Sequence, residues 1–448
     1  MEAQKYAFKM KSSTTTTTLK DDSLCLSKNL VPYTLQFLLP IALLPIVLLC
    51  IYFYPLFLTK SQTNELHYGT ISSPPPPPYP VNNKIKAENN SCDYFNGKWI
   101  HDKSGPLYNG TTCGTIKEGQ NCMTNGRPDS NYLYYRWKPN ECNLPRFEPN
   151  TFLQLSKNKH IAFIGDSLAR NQFESLLCML STVSKPKPVH HKGSHWWHFA
   201  SHNATLSDYW SPFLVQGDER SKSGPSFNTM HLDRVNERWL KDMDGMDLIF
   251  LSFGNWFNVP SIYYENGLVL GCLNCSSFGL NYTDIGFYVP LRKALRTSLN
   301  AIIERKRAKG KEISVIVRTF SPTHFDGDWD KAGTCSKTEP YGNGEKKVGE
   351  MESEIRRIQT EEVESAKAKA NAFGGIRFEV LDVTELALLR PDGHPGAYMK
   401  PFPFANGVSE HVQNDCVHWC LPGPIDTWNE IFLEMMKWDW KGQPRSEE

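Results

Sequence analysis

Between residues 156 and 440, short apolar runs alternate with longer stretches whose apolar residues recur at helical spacing. The runs near 160 to 164, 247 to 252, 313 to 318 and 377 to 381 read as buried strands. The stretches near 168 to 181, 291 to 309, 346 to 372 and 424 to 437 read as helices. Strands alternating with helices predict an α/β sandwich built on a mainly parallel sheet. Residues 92 to 155 are patterned differently, being rich in cysteine and aromatics with weak strand periodicity, and predict a smaller lobe beside that sandwich. A cleft between two such lobes is a natural binding site. No internal repeat is apparent.

The N-terminal quarter divides into three. Residues 1 to 28 form a lysine-bearing tail, and residues 29 to 59 contain no charged side chain, with Lys28 and Lys60 as bounds. The second segment is long enough to cross a bilayer, and its prolines (Pro32, Pro40, Pro45, Pro55) are better tolerated in a membrane than in a soluble helix. A cleaved signal peptide is the alternative, but its apolar core is ordinarily shorter and is followed by a small-residue cleavage site. Lys5, Lys9, Lys11, Lys20 and Lys28 precede the span, which predicts a cytosolic N-terminus and a single-pass anchor. Residues 60 to 91 include Ser72-Ser-Pro-Pro-Pro-Pro-Pro-Tyr79-Pro80, an extended stem or, less simply, a ligand for a proline-binding module.

Ten cysteines follow the stem, together with Asn-x-Ser/Thr sequons at Asn89, Asn109, Asn203, Asn274 and Asn281, which places the body in an oxidising, glycosylating compartment. Net charge is +1, which gives no reason to expect nucleic acid as a partner. Two clusters raise a metal site and neither sustains it. Cys272-x-x-Cys275 lacks a second pair at zinc spacing, and its thiols are expected to be oxidised. His190, His191, His195, His198 and His202, with Trp196 and Trp197, could line a sugar cleft, but a solvated loop and a half-buried strand account for them.

The chemistry concentrates at two points. In His160-Ile-Ala-Phe-Ile-Gly-Asp-Ser167-Leu-Ala-Arg-Asn-Gln172, a strand breaks at Gly165 and a helix begins at Ser167. A helix N-terminus offers unpaired N–H groups and partial positive charge to an oxyanion forming there. A hydroxyl also needs a base, and Asp415-Cys-Val-His418 can put both side chains on one side of a tight turn. Each motif alone has a plain reading, a helix cap and a chance spacing; together, in strand–helix context, they describe a Ser-His-Asp enzyme.

Several spaced motifs resemble the plant trichome-birefringence-like family: Cys92-Asp-Tyr-Phe-Asn-Gly-Lys-Trp99, Tyr135-Arg-Trp-Lys-Pro139, Gly165-Asp-Ser-Leu-Ala-Arg-Asn-Gln172, Arg318-Thr-Phe-Ser-Pro-Thr-His-Phe325, Arg390-Pro-Asp-Gly-His-Pro395 and Asp415-Cys-Val-His-Trp-Cys-Leu-Pro-Gly423. The resemblance implies a fold similar to GDSL (SGNH) esterases, a three-layer sandwich with a disulfide-rich N-terminal lobe. It implies acetylation of cell-wall polysaccharide in the Golgi, with Ser167, Asp415 and His418 as the triad. Many members carry Gly-His-Trp where this chain has Gly254-Asn255-Trp256, so Gly254 and Asn255 become candidate oxyanion contacts, or simply a turn ending a strand. Arg170, Asn171 and His394 are further candidates for contact with substrate or oxyanion, although the Arg390-to-Pro395 run equally describes a surface turn. The resemblance suggests disulfides Cys92–Cys142 and Cys113–Cys178, and leaves Cys122 and Cys335 to pair with Cys416 and Cys420 in either order.

Tyr263-Tyr-Glu-Asn-Gly-Leu-Val-Leu-Gly-Cys272 and the Arg318 run resemble the branch that acetylates xyloglucan side chains, with mannan and xylan left open. No cofactor is expected to stay bound. The acetyl donor, acetyl-CoA or a membrane acetyl carrier fed by a Golgi transporter, would be a co-substrate. Two rivals remain: an acetylesterase with the same triad, in which water replaces the acceptor, and a non-catalytic polysaccharide-binding protein.

Overall fold

A computed structural model describes residues 92–441, apart from 192, 222 and 373. The expected tail (1–28), span (29–59) and stem (60–91) lie outside the described residues, as does the Asn89 sequon. Among the described residues no helix is long and apolar enough to cross a membrane.

The elements in chain order are β1 (Gly97–His101), β2 (Tyr135–Pro139), α1 (Pro149–Leu155), β3 (His160–Gly165), α2 (Ser167–Ser181), β4 (Lys187–His191), β5 (Ser194–Phe199), β6 (Ala204–Trp210), β7 (Val215–Asp218), β8 (Asn228–Val235), α3 (Glu237–Leu240), β9 (Leu248–Ser252), β10 (Ser261–Glu265), β11 (Leu268–Leu273), α4 (Tyr288–Lys309), β12 (Ile313–Arg318), α5 (Glu350–Asn371), β13 (Ile376–Leu381), α6 (Thr384–Leu388) and α7 (Asp426–Lys441). The main sheet runs β13-β12-β9-β3-β6-β5-β4. Its first five strands are parallel; β5 and β4 extend one edge antiparallel.

β3, β9 and β12 are buried at every position, because helices cover both faces of the sheet. Alternate side chains of each strand therefore enter different cores. Ile161 and Phe163 join α2, α7 and the N-terminal residues Tyr94, Trp137 and Phe147. Ala162 and Ile164 join α4 and α5. The result is the α/β sandwich that the alternation of patterns predicts, in the three layers that the resemblance implies.

Chain order places β6 on one side of β3 and β9, β12 and β13 on the other. The connection reverses direction at β3, so a crevice opens beyond the carboxyl ends of β3 and β9. A second sheet, β11-β10-β8-β7, and the antiparallel β1–β2 pair complete the strands. β4, with pattern Lys-Pro-Val-His-His and mostly exposed, is an edge strand that no apolar run marks. The histidine cluster falls on β4, β5 and the turn after them; His191 Nε2 lies 2.7 Å from an Asp242 carboxylate oxygen, and the His191 ring stacks on Trp196.

Candidate active site

Ser167 opens α2 directly beyond β3. Gly165 and Asp166 make the turn possible in different ways. A Cβ at residue 165 would lie 1.8 Å from the Ser252 carbonyl oxygen, so only glycine lets the ends of β3 and β9 approach. Asp166 caps the helix, accepting from Leu168 N–H at 3.0 Å, while its own N–H donates to the Ser252 carbonyl. Ser167 is thereby left half-buried at the positive end of a fifteen-residue helix.

The partner loop is irregular and tied down at every step. His418 Nδ1–H donates to Asp415 Oδ2 at 2.7 Å, while Asp415 Oδ1 accepts from the backbone N–H groups of Val417 and His418. Burial would raise the Asp415 pKa, but the facing His418 and these donors outweigh it and hold the carboxyl well below the usual carboxylate range. The Asp415 N–H and C=O both pair with Gly396. Disulfides Cys335–Cys416 and Cys122–Cys420 flank His418, settling the order of pairing left open by the sequence. Cys92–Cys142 and Cys113–Cys178 form as the resemblance suggested, and Cys272–Cys275 closes a short loop far from these residues in sequence.

Asn171, one turn along α2 from Ser167, brings the two halves together. Its side-chain carbonyl accepts from Trp419 N–H at 2.7 Å and its amide donates to the Trp419 carbonyl at 3.2 Å. Its role is thus to register the His418 loop against the helix. No hydrogen bond joins Ser167 to His418 among the described residues; such contacts commonly close only with substrate in place. His394 also serves the loop: Nδ1 lies 2.7 Å from the His418 carbonyl oxygen and the ring stacks on Trp419. Arg170 points elsewhere, paired with Asp208 at 2.9 Å and lying over the Trp210 ring.

Gly254 and Asn255 follow β9 at the same crevice. Asn255 Nδ2 is a buried donor with no hydrogen-bond partner among the described residues. Arg318, fully buried at the end of β12, donates from Nε and Nη2 to the Ser252 hydroxyl. Burial pushes its pKa down to about 10, opposed by the charge of Asp166. Burial likewise raises the Asp166 pKa, with Arg318 opposing. The roles of Arg318 and Ser252 were not anticipated; an arginine closing an apolar strand was the available signal.

A cavity of about 360 Å³ is lined by Trp210, Phe213, Gln216, Asp218, Glu219, His231 and Arg238, and Trp210 pairs with Gly165 across β3 and β6. Among the described residues no group of three or more His, Cys, Asp or Glu is placed to hold a metal ion.

Residues 144–435 match the PC-Esterase model, a GDSL/SGNH-like acyl-esterase family found in Pmr5 and Cas1p, and residues 90–143 match the PMR5 N-terminal domain. The chain is 56% identical over 423 residues to xyloglucan O-acetyltransferase 1 of Populus trichocarpa, covering 93% of this chain and 96% of that protein. It is 54% identical over 356 residues to xyloglucan O-acetyltransferase 1 of Arabidopsis thaliana, covering 78% and 81%. With trichome birefringence-like 24 of Arabidopsis thaliana it shares 40% identity over 414 residues, covering 88% and 95%.

Proposed function

We propose, from the premise that the chain belongs to the PC-Esterase family of GDSL/SGNH-like acyl-esterases, that it is an O-acetyltransferase acting on a cell-wall polysaccharide. The acceptor we infer is xyloglucan, the substrate in the names of its similar relatives. The observation that carries the chemistry is the 2.7 Å bond from His418 Nδ1 to Asp415 Oδ2, on a loop registered against the helix that begins at Ser167.

That bond fixes the His418 tautomer, leaving Nε2 with a lone pair. Nε2 takes the proton from Ser167 Oγ as the oxygen attacks the acetyl carbonyl of the donor. Negative charge gathers on the carbonyl oxygen, where the α2 N-terminus and Asn255 Nδ2 can stabilise it. The tetrahedral intermediate collapses, the donor group leaves with the proton from His418, and acetyl-Ser167 remains. A sugar hydroxyl then gives its proton to His418, attacks the ester and carries the acetyl away, restoring Ser167. Acetyl-CoA or a membrane acetyl carrier would supply the acetyl group. The Trp210 cavity has the aromatic and carboxylate lining that suits a sugar ring.

The charge-free segment 29–59, the sequons and the paired cysteines support a Golgi membrane protein with one N-terminal span and a luminal body, receiving donor through a transporter. Hydrolysis is the second reading, since the family description itself names acyl-esterases. Full-length protein incubated with acetyl donor and xyloglucan oligosaccharide separates the two. Acetylated oligosaccharide supports transfer, whereas acetate release from pre-acetylated oligosaccharide without transfer supports hydrolysis. Neither activity, with retained oligosaccharide binding, would leave a non-catalytic binding protein.

A further inference from the structure

Behind the His418 loop, His324 and His394 are joined nitrogen to nitrogen between two backbone carbonyls. His324 Nε2 lies 2.7 Å from the Leu388 carbonyl oxygen, His324 Nδ1 lies 2.7 Å from His394 Nε2, and His394 Nδ1 lies 2.7 Å from the His418 carbonyl oxygen. The two side chains are 7% and 2% exposed, so water does not supply missing partners. A carbonyl oxygen only accepts, so His324 Nε2 and His394 Nδ1 must each carry a hydrogen. A neutral imidazole has only one N–H. With both spent on carbonyls, the facing nitrogens would present lone pairs to each other at hydrogen-bond distance. The three contacts together require three protons on two rings.

We infer that His324 and His394 share one extra proton as a buried imidazolium–imidazole pair, and that this proton positions the His418 backbone. The shared-proton geometry does not depend on the proposed function; its consequence for the base rests on that reading. If the proton is lost, one of the three contacts must fail. Either the rings repel each other or a carbonyl faces a lone pair, and the His418 carbonyl is the one attached to a loop without secondary structure. The pair therefore acts as a positioning device.

The surroundings divide over the charge. Asp326, Asp392 and Asp415 favour it, although Asp392 is bound bidentate by Arg390. The Trp419 ring stacked on His394 favours it as well. Lys346 opposes it at His324, and so does Arg127 at His394, whose guanidinium donates to the His394 carbonyl. Tyr341 presents its ring 6.3 Å from His324. Burial holds both imidazoles below the ordinary histidine value, and at His394 the facing His324 adds to it and takes that ring well below. The pair is thus charged in acid and gives up its proton to solvent as pH rises.

Nuclear magnetic resonance of full-length protein labelled with ¹⁵N-histidine, titrated from acid to neutral pH, tests the proton. The expected result is a single coupled step for His324 and His394, with one far-downfield proton correlated to nitrogens of both rings in acid. Separate titrations, or one N–H per ring throughout, would overturn the inference. His394→Gln keeps a donor for the His418 carbonyl but cannot carry the shared proton. It should abolish the coupled step and, because the Gln donor does not titrate, remove the part of the kcat–pH profile that follows that step, with KM unchanged. If His394→Gln does not fold, His324→Asn makes the same test. Loss of the step with an unaltered pH profile of acetyl transfer would overturn the positioning role. A wild-type protein with no acyl transfer would count against the proposed function, while the titration would still decide the proton.

Discussion

Ser167 and the His418 loop are tied together through Asn171, but each is held in place by opposite means. Ser167 is placed by regular structure: a buried strand, a glycine forced by close backbone approach, and a capped helix. His418 sits in a loop with no helix or strand of its own, held by two disulfides, the Asn171 side chain, the His394 ring and its own Asp415. Regular structure can position a nucleophile with backbone bonds alone. A base on a loop needs cross-links and side chains, each a separate point of failure.

Removing the nucleophile breaks the comparison at its strong end. Ser167→Ala should lower kcat for acetyl transfer on the order of 10⁴-fold or more without lowering Tm, measured by mass gain on oligosaccharide and by thermal melting. Asp415→Asn should cost about 10⁴-fold, because an amide can hold His418 in the wrong tautomer. The Ser167 side should stay intact in that variant, so melting should change little more than loss of the ion pair requires.

The disulfides sharpen the contrast. Cys335 and Cys416 are 81 residues apart in sequence, and constraint of the unfolded chain by such a link is worth about 4 kcal/mol in the chain-entropy account. The double variant Cys335→Ser/Cys416→Ser should melt correspondingly lower and lose kcat, whereas Cys272→Ser/Cys275→Ser, which opens a loop of only 3 residues' separation, should leave transfer unchanged. Equal losses from the two pairs would mean that bracing His418 is not what the first bridge does.

A smaller effect lies on α7, which packs between the two ends. Burial raises the Glu430 pKa to about 7, against Arg136 and Arg146. A carboxyl with a folded pKa above its unfolded value binds more protons when folded, so stability is fully present below the unfolded pKa and declines as pH rises toward the folded one. Between about pH 4.5 and pH 7 the loss should approach about 3 kcal/mol. Glu430→Gln should flatten that decline in Tm. Asp415 runs the other way: its pKa is depressed, so its contribution is present above the unfolded value and disappears only in strong acid.

The same asymmetry governs how much could be read from sequence. β3, β9 and β12 stand out as apolar runs because both of their faces are buried, edge strand β13 through its inward Ile376, Phe378 and Leu381, and the sheet direction follows from the helices between them. β4, β7 and β11 do not, since exposed or irregular edge strands mix polar and apolar positions without a clean period. Ser167 was legible from its strand–turn–helix setting, and the Asp415–His418 spacing from its motif. The support around His418 is not, because Asn171 reaches Trp419 across 248 residues of sequence, His394 reaches His418 across 24, and His324 reaches His394 across 70, in contacts that only the fold creates. Arg170 illustrates the converse: adjacent in the motif, it turns away to Asp208 and Trp210.

A covalent acetyl group on Ser167 is the intermediate on which the proposed transfer depends. Brief incubation of the full chain with acetyl donor, followed by quenching and peptide mass mapping, should find acetyl on Ser167 and nowhere else in the crevice, and a chase with xyloglucan oligosaccharide should remove it as acetylated sugar. Acetyl on another residue, or undiminished transfer by Ser167→Ala, would contradict the account.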